Sequence, residues 1–170
     1  QSVARFSNLA KGSFLVCSFG QPFHATGWKV GYCLGPEDLM EEFRKIHQFL
    51  VFAVNTPVQY ALADFISEPS HYNKVGELLQ QKRDYFLSLI KDSRFTFNPS
   101  KGTYFQLLNY KNIAEEDDIE FAEKLTREHK LASIPISVFY HNPTNNFDLR
   151  FCFAKEEPTL KAAAEIINSL

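Results

Sequence analysis

The first 69 residues alternate short apolar runs with helical patterns. Apolar runs at residues 14–17 and 32–34 predict two short strands that flank a glycine-containing loop. Apolar residues at helical spacing predict a helix over residues 38–49, and the sequence Asn-Thr-Pro at 55–57 predicts the start of another. Because two strands and two helices leave strand edges without partners, we interpret residues 1–69 as the end of a larger sheet domain.

The pattern changes at residue 70. A long amphipathic helix is predicted to begin at Ser70 and to connect two lobes. The elements predicted after it are strands at residues 94–97, 103–108, 131–136 and 147–153, with helices at residues 117–128 and 158–170. We therefore expect an α/β chain in which residues 70–170 form a connecting helix and a small α+β domain with its own core.

Composition excludes several classes of partner. Hydrophobic residues make up 45% of the 170 residues, which is enough for a core, and the net charge of −2 offers no basic field for nucleic acid. The longest apolar run, residues 49–54, is too short to span a bilayer. Because the chain has no initiator Met, we expect a processed, trimmed or partial protein. The three cysteines and five histidines are scattered, which favours a reduced, cytoplasmic protein without a metal site.

Other motifs have ordinary explanations. Gly27, Gly31 and Gly35 are spaced by four, unlike the dinucleotide-binding fingerprint. Ser18 and His24 lack the context of a catalytic triad. The acidic run at residues 115–118 precedes a helix, so we interpret it as a solvated cap that favours the helix dipole.

Arg150 lies in the middle of an apolar strand and leaves two interpretations open. On an alternating strand, Leu149, Phe151 and Phe153 would line one face and Arg150 the other, facing water. Alternatively, its guanidinium binds an anion such as a carboxylate. Spacing alone slightly favours the first interpretation.

Residues 18–32, SFGQPFHATGWKVGY, closely resemble the cofactor motif of class I/II pyridoxal-phosphate aminotransferases, above all the kynurenine and methionine aminotransferase branch. The resemblance continues in order through residues 44–48, 55–59, 102–105 and 149–153. It implies the C-terminal part of a fold type I enzyme: the end of the large mixed-sheet domain, a long connecting helix and a small α+β domain. It also implies that pyridoxal 5′-phosphate is the cofactor and that an amino acid and a 2-oxo acid are the substrates. The same resemblance implies a homodimer.

The resemblance also implies roles for individual residues. Ser18 and Lys29 match the residues that bind the cofactor phosphate, and Gln21 occupies the position of the Schiff-base lysine. Arg150 matches the arginine that binds the substrate α-carboxylate. Tyr104 lies in a segment that lines the site.

Phe52 is a weaker match, to an aromatic residue that reaches the partner subunit's substrate pocket.

Gln21 separates the functional hypotheses. Its amide nitrogen is neither a nucleophile nor a base, and these residues lack the N-terminal half that the resemblance implies for the enzyme's large domain. For both reasons we expect this chain alone to be an inactive part of an aminotransferase for aromatic or sulfur-containing amino acids. The alternative is a non-catalytic fragment or pseudoenzyme that acts as a binding or dimerisation module. A third possibility is that residues from 70 onward are a stable folded fragment without activity.

Overall fold

The computed structural model describes residues 2–142 and 144–170 and divides the chain into two compact units. The first unit ends at Val75 and the second runs from Gly76 to Leu170. The domain boundary predicted between residues 69 and 70 falls within a short 3₁₀ helix, Pro69–His71. In the parts of the chain that are described, no helix combines the length and apolar character needed to cross a membrane.

The described residues of the first unit form a β-hairpin and three α-helices. Strands β1 (Leu15–Ser18) and β2 (Gly31–Leu34) pair antiparallel, with Ser18 opposite Gly31. The helices are α1 (Ser7–Ala10), α2 (Glu37–Leu50) and α3 (Thr56–Ser67).

The predicted start of α3 is confirmed. The Asn55 side chain accepts a hydrogen bond from the Val58 N–H at 3.2 Å, and proline lies in the first turn.

This first unit buries few side chains. Among its described residues only Gly20, Val30 and Leu62 are buried. Many large apolar side chains are exposed, most strongly Phe49 at 86% and Phe52 at 87%. The first unit therefore has little apolar core.

Over the residues that are described, the second unit forms a three-stranded antiparallel sheet with three α-helices. The strands β3 (Phe105–Asn109), β4 (Ile134–Pro135) and β5 (Asp148–Cys152) have the order β3-β5-β4. Arg150 pairs with Leu107 on one side and Ile134 on the other. The helices are α4 (Val75–Ile90), α5 (Asp118–His129) and α6 (Glu157–Ser169).

The hydrophobic core lies in this second unit. Leu149, Phe151 and Phe153 are buried while Arg150 and Cys152 are half-buried, so the predicted alternation along β5 is confirmed. The core continues with residues from all three helices and from β3, including Phe86, Ile90, Leu108, Phe121, Leu125, Leu160, Ala164 and Ile167.

Three predicted elements differ from the structure. The long helix starts at Val75 rather than Ser70, because the Glu68 carboxylate caps a separate 3₁₀ helix through the Ser70 N–H. Residues 94–97 form only a single bridge, from Thr96 to Asn109. The strand predicted at 131–136 shrinks to Ile134–Pro135, since proline has no N–H to extend the ladder.

Candidate functional site

The loop at residues 19–30 is folded tightly between β1 and β2. The Ala25 N–H donates to the Gly20 carbonyl at 2.8 Å, and the Phe19 N–H donates to the Val30 carbonyl at 3.1 Å. A Cβ atom on Gly20 would lie 2.9 Å from the Thr26 Cα. The loop conformation therefore requires glycine at position 20.

Aromatic side chains hold this loop against α3. The Phe23 ring lies 4.9 Å from the Phe65 ring and 5.8 Å from the Tyr72 ring, measured between centroids. Phe19 lies 4.9 Å from Tyr32 on β2. The turn that carries Gln21 is thus anchored on both sides by ring packing.

Three of the sequence-predicted site residues belong to this hairpin and its loop. Ser18 ends β1, and its Oγ accepts a hydrogen bond from the Gly20 N–H at 3.0 Å. Gln21 is exposed on the turn. Lys29 is exposed and directly follows the 3₁₀ helix Thr26–Trp28. Its backbone has the left-handed conformation, with φ of 53°. Within residues 2–142 and 144–170, no carboxylate lies within 4.0 Å of the Lys29 ammonium group.

Phe52 lies elsewhere in the same unit, just after α2. Its backbone has the left-handed conformation, with φ of 64°, and its N–H donates a hydrogen bond to the His47 carbonyl at 3.3 Å. Its ring is almost fully exposed.

Arg150 is held by aromatic rings in the second unit. Its guanidinium carbon lies over the Phe105 ring, 4.1 Å from the centroid, and over the Phe139 ring at 5.2 Å. The Arg150 Nε is buried without a hydrogen-bond partner among the described residues, and none of their carboxylates forms a salt bridge with it. A buried, unpaired guanidinium donor is a group that an anion would satisfy.

A cavity of about 460 Å³ lies beside Arg150. Its lining includes Arg150, Phe105, Thr103, Ser100 and Asp148. The Ser100 Oγ is also buried without a hydrogen-bond partner in the described chain. The cavity therefore offers a cation, a hydroxyl and an aromatic wall to a small ligand.

A buried amide that the sequence did not single out shapes this cavity. Gln106 is 1% exposed, and its Nε2 donates to the Asn98 carbonyl at 2.8 Å. Its Oε1 accepts from the Ser100 N–H at 3.0 Å. Gln106 thus fixes the turn that places Ser100 at the cavity. Its signal in the sequence is a lone polar side chain within the apolar run that predicts β3.

Tyr104 precedes β3 and packs against the hydrophobic core. It is not among the described residues that line the Arg150 cavity. Its carbonyl accepts a hydrogen bond from the Phe153 N–H at 3.1 Å. This bond fixes the backbone between its sequence neighbours Thr103 and Phe105. Those two neighbours do line the cavity.

The acidic run at residues 115–118 is only partly a solvated cap. Asp117 caps α5 by accepting from the Ile119 and Glu120 N–H groups. Asp118, however, is 2% exposed, so the predicted solvated position is wrong for this residue. Its carboxylate accepts from the Ser137 N–H at 2.7 Å and from the Ser137 Oγ at 2.6 Å, which compensates for its burial.

The described residues contain no group of three or more His, Cys, Asp and Glu side chains placed to hold a metal ion. All three cysteines are free thiols.

The pattern of the chain matches the family described as aminotransferase class I and II over residues 2–167. The chain therefore belongs to the class I and II aminotransferases, which confirms the resemblance found in the sequence. Its mixed α/β architecture is that of the fold type I members of this family.

Among individual relatives, the chain is 46% identical to a methionine aminotransferase of Escherichia coli over 170 residues. It is 30% identical to a kynurenine–oxoglutarate transaminase of Bos taurus over 188 residues. A solved structure from Escherichia coli, described as having a methionine aminotransferase function, superposes on 100% of this chain with a TM-score of 0.95.

The chain spans less than half of these relatives. The matches cover 99% and 98% of this chain but only 44% and 41% of the two relatives, and 45% of the solved structure.

Proposed function

We propose that the chain is the C-terminal part of a pyridoxal-phosphate aminotransferase that exchanges an amino group between an L-amino acid and a 2-oxo acid. The 46% identity to a methionine aminotransferase supports a sulfur-containing or aromatic amino acid as substrate. We further propose a cytoplasmic homodimer in which Phe52 reaches the partner subunit's substrate pocket. The observation that carries this function is the unpaired Arg150 guanidinium beside its cavity.

The loop at residues 19–30 fits the phosphate end of the cofactor. Phosphate oxygens take hydroxyl and cationic donors, and Ser18 and Lys29 supply one of each on exposed positions. Lys29 has no carboxylate within 4.0 Å among the described residues, so its charge is available to a phosphate. When bound, pyridoxal phosphate supplies an electron sink for cleavage of bonds at the substrate Cα.

Gln21 does not fit the covalent end of the cofactor. Its side-chain nitrogen has a lone pair delocalised into the carbonyl, so it cannot attack an aldehyde or carry a proton at the substrate Cα. Losing a positioned general base costs about 10²- to 10⁴-fold in rate. We therefore propose that this chain binds the cofactor non-covalently and is catalytically inactive by itself.

Arg150 binds the substrate carboxylate in this proposal. A guanidinium offers two parallel N–H donors that match a planar carboxylate. The rings of Phe105 and Phe139 face the guanidinium and restrict its orientation. Tyr104 contributes through the backbone that places Thr103 and Phe105 at the cavity.

A second candidate function is a binding or dimerisation module without catalysis. Two observations favour it: Gln21 at the covalent position, and the strongly exposed apolar side chains of the first unit. Such a surface is typical of protein–protein interfaces.

Covalent capture of the cofactor distinguishes these functions. The chain and its Gln21→Lys variant are incubated with pyridoxal phosphate, reduced with borohydride and mapped by peptide mass spectrometry. We expect pyridoxyl modification at position 21 only in Gln21→Lys, with Gln21→Met as the matched control. Adding Lys29→Ala to Gln21→Lys should lower the occupancy at position 21. Modification spread evenly over surface lysines, with none preferred at position 21, would contradict the cofactor site.

A further inference from the structure

The buried carboxylate of Asp118 is connected to Arg150 through one short segment. Asp118 lies in the first turn of α5, outside every sequence motif assigned to the site, and accepts two hydrogen bonds from Ser137. Ser137 is itself 5% exposed and begins the 3₁₀ helix Ser137–Phe139. That helix ends at Phe139, whose ring lies over the Arg150 guanidinium.

Few other contacts fix the Phe139 ring. It is 59% exposed, so packing alone does not determine its position. Its 3₁₀ helix follows β4, which pairs with β5 through only two residues, Ile134 and Pro135. The two hydrogen bonds from Ser137 to Asp118 attach this turn to α5, next to the contacts that β4 makes with the same helix.

The strength of this attachment follows from its chemistry. Hydrogen bonds to an ionised carboxylate are about twice as strong as neutral ones, and burial strengthens them further. The N-terminal turn of α5 also favours a negative charge at Asp118. Two such bonds to one serine hold both its backbone and its side chain, which restricts the rotation of the turn.

We propose that Asp118 is a positioning residue for carboxylate recognition. Through Ser137 it holds Phe139 over Arg150, so that the guanidinium keeps one orientation toward the cavity of about 460 Å³. The inference rests on the proposed role of Arg150 as the carboxylate-binding residue.

The test observes Arg150 directly by NMR in the 170-residue chain. The Arg150 Nε–Hε resonance is assigned by its loss in Arg150→Lys, and the 2-oxo acid of methionine is titrated as the probe. We expect a saturable shift in the unmodified chain. Ser137→Ala and Asp118→Asn should weaken binding about tenfold, which corresponds to about 1.4 kcal/mol.

A second readout needs no ligand. Without the probe, both variants should move the Hε resonance away from its original position, because the ring current of Phe139 changes. Ser137→Thr keeps both donors and should retain the original resonance and affinity. If Asp118→Asn does not fold, Ser137→Ala carries the test alone.

Two outcomes separate this inference from the function on which it rests. If the variants melt at lower temperature but keep the Hε resonance and the probe affinity while folded, Asp118 is only structural and the proposal is wrong. If the unmodified chain shows no saturable shift but the variants still move the Hε resonance, Asp118 does hold the guanidinium. In that case it is the carboxylate role of Arg150 that fails.

Discussion

At the scale of single residues, Gly31 shows how closely the two strands of the hairpin approach. A Cβ atom at this position would lie 2.4 Å from the Cys17 carbonyl oxygen, well inside any permitted contact. The strand-pairing partner Ser18 cannot move away without breaking the register that brings it opposite Gly31. The position of Ser18 at the proposed phosphate site thus depends on the absence of a side chain at Gly31.

Gly31→Ala should therefore destabilise the hairpin by about 1 to 3 kcal/mol, the usual cost of overpacking. Urea unfolding followed by the fluorescence of Trp28, the only tryptophan, measures this at the loop itself. Gly12→Ala is the matched control, since a Cβ there meets nothing within 4 Å. Equal unfolding midpoints for the two variants would contradict the close approach.

Tyr110 makes the free energy of unfolding of the second unit vary with pH in the alkaline range. Its side chain is fully buried and its hydroxyl donates to the Glu116 carbonyl at 2.9 Å. Burial raises the pKa of Tyr110 most, the hydrogen bond with Asn145 partly offsets this, and the negative charge of Asp118 adds to the rise, which brings the pKa to about 12. In the unfolded chain the pKa of tyrosine is about 10. Between these values only the unfolded chain loses the proton, so stability should fall as pH rises.

Tyr110→Phe removes this dependence. Near neutral pH the variant should lose about 1 kcal/mol with the hydrogen bond. Between about pH 10 and 12 the stability difference between the two proteins should shrink, because phenylalanine has no proton to lose. Urea denaturation at a series of pH values measures this, and a constant difference would show that Tyr110 titrates normally.

Individual residues also show what sequence could predict. The placement of Arg150 on the half-buried face of β5 follows from strand alternation, which depends only on nearest neighbours. The burial of Asp118 has no such signal in the sequence. The four adjacent acidic residues look alike until the tertiary structure brings Ser137 to one of them. Phe139 over Arg150 is likewise a contact between residues distant in sequence.

At the scale of elements, helix α5 depends on its cap. Asp117 accepts hydrogen bonds from two backbone N–H groups of the first turn. Asp117→Ala should lower stability by about 1 kcal/mol, as removal of an N-cap generally does. Glu115→Ala is the control, because Glu115 is exposed and precedes the cap. Thermal unfolding by circular dichroism measures both, and equal effects would show that charge rather than capping matters.

Elements also mark the limit of pattern reasoning. Amphipathic spacing and caps predict helices α2, α3, α5 and α6, because both are local signals. Apolar alternation overestimates the strands at residues 94–97 and 131–136, because it shows a preference for extended backbone but not whether a pairing partner is available.

At the scale of the whole molecule, the two units differ in how much apolar surface they bury. The second contains the hydrophobic core, with Ile90, Leu108 and Leu149 fully buried. The first leaves many of its large apolar side chains exposed. Because protection from hydrogen exchange follows local stability, we expect slow exchange in β3, β5 and α6 and fast exchange in α2 and the hairpin. Mass spectrometry of exchanged peptides measures this, and uniform protection across both units would contradict it.

In the proposed function, Ser18, Lys29 and Arg150 keep their binding roles, and Gln21 removes the covalent attachment of the cofactor. The most direct measurement uses a chimera in which the chain replaces the matching segment of the Escherichia coli methionine aminotransferase, assayed for transamination with pyridoxal phosphate. The chimera with Gln21 should be slower than its Gln21→Lys variant by at least about 10²-fold. Adding Arg150→Lys to Gln21→Lys should raise the KM for the amino acid. A folded, cofactor-bound Gln21→Lys chimera with no more activity than the Gln21 form would contradict the account.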